Sequence, residues 1–203
     1  FYIRIVLWYS KCSNKSRANL EAVKMDKTNE KYNAYIQILK EELIPAMGCT
    51  EPIALAYAAA VARKVLGQLP ERVDIGASGS IIKNVKSVIV PNTDHLKGIP
   101  AAATAGIIAG DPDKELEVIA SVTKEQVEEM KEFLKKTPIS VEHVDNGLTF
   151  DIIVTLYKGD EYAKVRIANY HTNIVLIEKN GEILEQTEVA GETEEGLSLI
   201  HIS

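Results

Sequence analysis

The sequence predicts an α+β fold in which N-terminal helices pack on a mainly antiparallel sheet formed largely by a C-terminal meander. Apolar residues fall at helical spacing in the first half of the chain. From Pro138 onward they alternate, or run continuously, between turn signals such as Asp145-Asn146-Gly147, Lys158-Gly159-Asp160 and Asn180-Gly181. No internal repeat or low-complexity linker interrupts this order.

Residues 29–47 place Tyr35, Ile36, Ile38, Leu39, Leu43 and Ile44 on one face, which predicts an amphipathic helix stopped by Gly48. A second helix is expected over 51–66, with Thr50 as N-cap, Pro52 in the first turn and Gly67 as the stop. Its side chains are apolar all round until Arg63 and Lys64, so it should be buried. "ERVDIGASGSIIKNVKSVIVPN" reads as strand, glycine-serine turn, short helix or loop, and a strand at "SVIVP". "GIPAAATAGIIAG" is built from side chains small enough to let another backbone approach closely. "DPDKELEVIASV" and "TKEQVEEMKEFLKK" are expected as two more helices, the second capped by Thr123. Four or five antiparallel strands follow, in "ISVEHV", "LTFDIIVTLYKG", "EYAKVRIANY" and "TNIVLIEKNGEILEQ".

The chain has 203 residues, 46% apolar and 26% charged, a composition ordinary for a globular domain that needs no disulfide staples. Its two cysteines, Cys12 and Cys49, do not form a framework, which points to a reducing cytoplasm. The net charge of −6 argues against nucleic acid and against an anionic membrane as partners. No apolar run approaches the roughly 18 residues of a membrane span. Residues 1–24 lack a methionine start and carry most of the local basic surplus. They read as a non-native or disordered extension before Met25. Residues 25–196 read as a single α+β domain, the N-terminal half of a longer enzyme, and "LSLIHIS" at 197–203 as a non-native tail.

Chemistry concentrates around "GCTEP". At the mouth of a helix, free N–H groups and the positive dipole end favour the thiolate of Cys49, while Glu51 disfavours a second negative charge. From its residue type alone Cys49 reads either as a buried structural thiol or as a functional one. "GASGSIIKN" (76–84) can present N–H and O–H donors to an anion with Lys83 adding charge, or can be a tight turn that requires glycine. It matches neither phosphate-binding glycine motif. Asn92, Thr93, Asp94, His95 and Lys97 form a polar loop or a site. "NYHTN" (169–173) interrupts the meander as a turn or a site. His95, His143 and His171 have no metal-ligand spacing with Cys49, and no G-x-S-x-G occurs.

Taken together, "GCTEPIALAYAAA" (48–60), "SGSIIKN" (78–84), "VPNT" (90–93), "GIPAAATAGIIAGDP" (98–112), "LEVI" (116–119) and "HTNIV…I…NG" (171–181) resemble the N-terminal half of the L-cysteine desulfidase family, which is akin to the iron–sulfur L-serine dehydratases. The likeness covers residues 30–187. It departs at Ser80, where that family usually has Asn, and at Asn92, where it usually has Gly.

The resemblance implies β-elimination from a small L-amino acid, with L-cysteine giving hydrogen sulfide, ammonia and pyruvate. An L-serine dehydratase and a non-catalytic amino-acid-binding or regulatory module are the alternatives. It implies a [4Fe–4S] cluster whose other three cysteines belong to a missing C-terminal half, so that this chain alone is expected to be inactive. Cys49 is then an iron ligand or an acid/base group. Catalytic roles fall on Cys49, Glu51 and Lys83. Ser78, Ser80, Lys83 and Asn84 are expected to bind the substrate carboxylate, with Thr50, His171 and Asn173 as further substrate contacts. Glu51 serves as base if burial raises its pKa. Pyridoxal phosphate is not expected, Lys83 being the one placed candidate for a Schiff base. A homo-oligomer is among the expected assemblies.

Overall fold

The computed structural model describes residues 48–189, together with residue 33. The readings of residues 1–24, of the helix over 29–47 and of the tail at 197–203 lie outside the described residues. Within residues 48–189, four helices, α1 (Thr50–Leu66), α2 (Gly79–Val85), α3 (Gly98–Ala109) and α4 (Lys124–Lys136), and a 3-10 helix (Pro112–Glu117) accompany six strands. The strands are β1 (Arg72–Ala77), β2 (Ile139–His143), β3 (Asp151–Lys158), β4 (Glu161–Ala168), β5 (Ile174–Lys179) and β6 (Glu182–Gln186). They form one sheet in the order β2-β1-β3-β4-β5-β6. The α+β expectation holds, with helices on a mostly antiparallel sheet supplied chiefly by the C-terminal strands.

Two strands depart from the expected meander. β1 enters the sheet between β2 and β3, antiparallel to β3, and β2 lies parallel to β1 rather than antiparallel to its sequence neighbour. A parallel pair needs a long crossover, and residues 78–138, with α2, α3, the 3-10 helix and α4, supply it. Tight hairpins join the rest. Lys158 pairs with Glu161 around Gly159, and Lys179 pairs with Glu182 around Asn180-Gly181. Both residues of the latter turn have positive φ (52° and 86°), as a type I′ turn requires.

α1 is buried on nearly every side because it forms a middle layer. It packs on β3 and β4 below and on α3 above. Ile53 and Leu55 of α1 share one core with Ile75, Ile152, Val154, Leu156, Val165 and Ile167 of the sheet. Gly67 ends α1 in the left-handed region at φ 81°, as expected. Its N-cap, however, is Cys49 and not Thr50. Thr50 is the first helical residue, and Cys49 makes no side-chain capping bond.

The small residues of α3 let the two helices meet backbone to backbone. A Cβ on Gly106 would lie 2.0 Å from the Ala56 carbonyl oxygen, and one on Gly110 would lie 2.6 Å from the Ala60 Cβ. Gly106/Gly110 thus face Ala56/Ala60, each pair one helical turn apart.

Two expected elements are absent from the described residues. "SVIVP" is not a strand. Ile89 makes a single bridge to Lys97, and Val90 N–H donates to Leu96 O across a loop containing Pro91, which has no N–H to give a ladder. "DPDKELEVIASV" is a 3-10 segment that breaks at Glu115, whose φ of 45° no right-handed helix accommodates. Asp111 caps it by accepting from the Asp113 N–H. Thr123 caps α4 as expected, and Gln126 completes a capping box by exchanging side-chain and backbone bonds with it. Among the described residues, no helix is long and apolar enough to cross a membrane.

Two substitutions test this packing. Gly106→Ala drives a methyl into the Ala56 carbonyl, and about 3 kcal/mol or more of stability is expected to be lost in urea denaturation. The Thr104 hydroxyl is buried in α3 without a partner among the described residues, so the isosteric Thr104→Val should gain about 1 kcal/mol in the same assay.

Candidate functional site

Three stretches remote in sequence converge on the first turn of α1. Cys49 is exposed and free, and its Sγ–H donates to Glu51 Oε2 at 3.0 Å. The other Glu51 oxygen accepts from Asn84 Nδ2 of α2 at 3.4 Å. Thr50 Oγ1 shares a hydrogen bond of 3.0 Å with Nε2 of His171, from the β4–β5 connection. Gly48 makes the approach to this turn. Its φ of 148° disfavours any side chain, and its Cα packs so close to Pro91 that a Cβ would sit 3.3 Å from the ring.

Electrostatics separates the carboxyl from the thiol. Partial burial, then the hydrogen bond and charge of Glu51, push the Cys49 thiol up. The helix N-terminus therefore does not yield a thiolate here, because burial and the adjacent carboxylate both oppose it. The hydrogen bond from Cys49 holds the Glu51 carboxyl below its usual range, with Asn84 and the charge of His171 acting the same way. The expectation of a Glu51 base with a raised pKa is thus corrected. Glu51 stays ionised, and Cys49 stays a protonated thiol able to donate.

His171 is half-buried, and desolvation lowers its pKa against the opposing charge of Glu51. The neutral imidazole prevails at pH 7, where one ring nitrogen is free to accept a proton. Phe150 fixes the ring edge-on at 4.6 Å between centroids.

The serine-lysine loop divides. Ser80, Lys83 and Asn84 lie at i, i+3 and i+4 on the exposed face of α2, opposite the buried Ile81 and Val85, and only Asn84 is tied to the α1 mouth. Ser78 does not belong to the site. It is buried as the N-cap of α2, its hydroxyl donates to Thr149 O at 2.6 Å, and its N–H donates to Asp151 O. Asn173 is also withdrawn as a substrate contact, since its amide donates to Ala168 O at 2.9 Å and closes the β4–β5 turn.

The polar loop at 92–97 is likewise structural. Asn92 donates to Ile119 O, Thr93 donates to Val90 O, and Asp94 pairs with Lys131. Asn92 has φ 60°, a left-handed conformation that asparagine adopts more readily than most residues. A cleft of about 480 Å³ lies beside this loop and the start of α4. Its lining includes none of the residues gathered at Cys49.

The sequence reading missed two features. Phe150 gave no signal beyond being aromatic. Asp151, fully buried, accepts two bonds of 2.8 Å from Arg166 and one from Asn146. A charge at the head of "DIIVTL" facing another within "AKVRIA" was its only trace in the sequence.

The described residues supply one of the cysteines that a four-iron cluster requires. Such a cluster is held by four ligands, usually thiolates. Cys49 is the one cysteine among the described residues, which contain no group of three His, Cys, Asp or Glu side chains placed to hold a metal.

Similar proteins bear on the resemblance. A UPF0597 protein of Desulfitobacterium hafniense is 55% identical over 174 residues, covering 86% of this chain and 40% of that protein. One of Treponema denticola is 46% identical over 160 residues, 79% of this chain and 37% of its own length. One of Fusobacterium nucleatum is 46% identical over 154 residues, 76% and 36%. The chain therefore spans about two fifths of the length of the curated relatives it matches. No family model matches the chain, and no solved structure matches it. These relatives overturn the expected assignment to the L-cysteine desulfidase family. They carry the UPF0597 name, and none bears a desulfidase or serine dehydratase name.

The imidazole supplies a test by NMR. The His171 titration midpoint should lie below the usual 6.5. Glu51→Gln removes the one opposing charge and should lower it further, whereas Phe150→Ala admits water and should raise it. Because the folded pKa is depressed, the unfolded chain binds the proton more readily. This contribution to stability is therefore full above about pH 6.5 and is lost as pH falls through the folded pKa.

Proposed function

We propose that the first turn of α1 binds a small L-amino acid and handles the protons of a β-elimination, with L-cysteine as substrate and sulfide as leaving group. The observation that supports this reading is the convergence of a protonated thiol, an ionised carboxylate and a neutral imidazole on one exposed helix mouth. Ser80, Lys83 and Asn84 offer a hydroxyl, an ammonium and an amide to the substrate carboxylate. Glu51 offers its carboxylate to the substrate ammonium. His171, oriented by Thr50 and Phe150, takes the Cα proton. The electrons left behind form the Cα–Cβ double bond, the Cβ–S bond breaks, and Cys49 protonates the departing sulfur. The 2-aminoacrylate released tautomerises and is hydrolysed by water to pyruvate and ammonia.

A Cα proton beside a carboxylate is weakly acidic, and the residues gathered here include no electrophile strong enough to hold the carbanion. The reading therefore gives this chain substrate binding and proton transfer, and gives activation to the further length that the relatives possess. L-serine would follow the same course with water leaving. The compartment proposed is the cytoplasm, where an exposed thiol stays reduced. A non-catalytic amino-acid-binding module is the second reading, favoured by the open, electrophile-free site.

The deciding assay is anaerobic release of sulfide and pyruvate from L-cysteine, and of pyruvate from L-serine, by the longer Desulfitobacterium relative and by this chain. The relative should turn over one of the two, and replacing its counterparts of Cys49 by Ser or of His171 by Asn should cost about 100-fold or more. This chain should bind without turnover. A relative that binds either amino acid calorimetrically but converts neither would transfer the assignment to the binding module.

A further inference from the structure

Asp151 is the one carboxylate completely buried among the described residues, and the reaction proposed above makes no use of it. Its Oδ1 accepts from Arg166 Nε at 2.8 Å and its Oδ2 from Arg166 Nη2 at 2.8 Å, while Asn146 Nδ2 also donates to Oδ2. With both oxygens occupied and no exposure to solvent, the group cannot meet a substrate. Burying such an ion pair costs the hydration of both partners, and apolar side chains of similar volume would often be as stable. What the two parallel bonds add is a fixed direction for the backbone that carries the carboxylate.

That backbone leads to His171. Phe150 precedes Asp151, and its ring meets the imidazole edge-on at 4.6 Å. The carbonyls of three successive residues are all taken here. Thr149 O accepts from the Ser78 hydroxyl at 2.6 Å, Phe150 O from Asn169 N–H at 3.0 Å, and Asp151 O from Ser78 N–H at 2.9 Å. Asn169, in the left-handed region at φ 67°, opens the β4–β5 turn on which His171 stands. On the other flank, Asn146 closes the β2–β3 loop. It accepts from Leu148 N–H at 3.2 Å and donates to Asp151. Phe150 therefore touches His171 through its ring and the histidine's turn through its carbonyl. Thr50 of α1 holds the same imidazole at Nε2.

We propose that Asp151, clamped by Arg166 and Asn146, is a positioning residue for His171, acting through the ring and the carbonyl of Phe150. The catalytic consequence rests on the reading of His171 as the base, and the positioning itself does not. The charge that acts on the imidazole comes from Glu51 of α1. Asp151 acts instead by holding Phe150 in place, which keeps water from the imidazole and keeps the imidazole within reach of Thr50.

The test is an NMR pH titration of the His171 ring protons in the 203-residue chain, in the wild type, Asn146→Ala and Asp151→Asn. Asn146 is exposed, so its truncation leaves the buried ion pair in place and the fold intact. Met130→Ala, in the core beneath α4, is the control for lost stability alone. Both clamp variants should raise the His171 midpoint by about 0.3 pH units or more toward 6.5, because water reaches the ring. Both should also reduce the ring-current shift that Phe150 imposes on the His171 protons. Met130→Ala should lower the urea midpoint and leave both signals unchanged. Wild-type signals in Asn146→Ala, or equal changes in Met130→Ala, would overturn the proposal, whether or not Asp151→Asn folds. No substrate enters these measurements, so a relative that converts neither amino acid would remove the reaction from His171 and leave the positioning result standing.

Discussion

The closest constraint in the molecule is the contact of α1 with α3. The Gly106 backbone lies against the Ala56 carbonyl with no room for a methyl group. That approach fixes α1 as a middle layer between sheet and helices, and it is what makes a helix apolar on every side through its middle stable in that place. Since α1 cannot tilt without breaking this fit or the core beneath it, its N-terminus is held rigidly. Cys49, Thr50 and Glu51 inherit that rigidity, although Cys49 itself is exposed. Such a base suits proton transfer, where the groups must be placed within a fraction of an ångström.

Around that fixed turn, each neighbour contributes one restriction. The Pro91 loop backs Gly48, α2 brings Asn84 to Glu51, and the β4–β5 turn brings His171 to Thr50. The buried Asp151–Arg166 pair lies on the far side of the sheet, and the Asp151 backbone oxygen receives the Ser78 N–H that starts α2. Ser78 therefore matters to the site by orienting α2, not by touching a ligand.

Much of this was legible in the sequence because it depends on local chemistry. The stop at Gly67, the capping box at Thr123 and the Asn180-Gly181 hairpin each follow from a few adjacent residues. The unusual smallness of residues 98–110 announced a close backbone approach before its partner was known. What was not legible is non-local. Nothing within "ISVEHV" says that it pairs parallel with a strand more than sixty residues earlier. Nothing in "HTN" says that the histidine reaches Thr50 while the asparagine turns back on its own loop. Ser78 and Ser80 look alike in sequence, and a step of two positions at the start of α2 decides that the first is buried and the second is exposed. Likeness of motif is likewise a weaker guide than it looks. The motifs suggested a named enzyme family, and the similar proteins carry another name.

The place of β1 in the sheet has a consequence for how the polypeptide matures. β1 is an interior strand, yet both of its neighbours come from residues 139 and beyond. On the ribosome, α3 follows α1 closely, but the sheet-facing side of α1 waits for β3 and β4, and β1 waits for β2 and β3, about sixty to eighty residues after β1. Contacts this distant in sequence slow folding, and they leave a largely apolar helix as a target for chaperones and for self-association in the nascent chain.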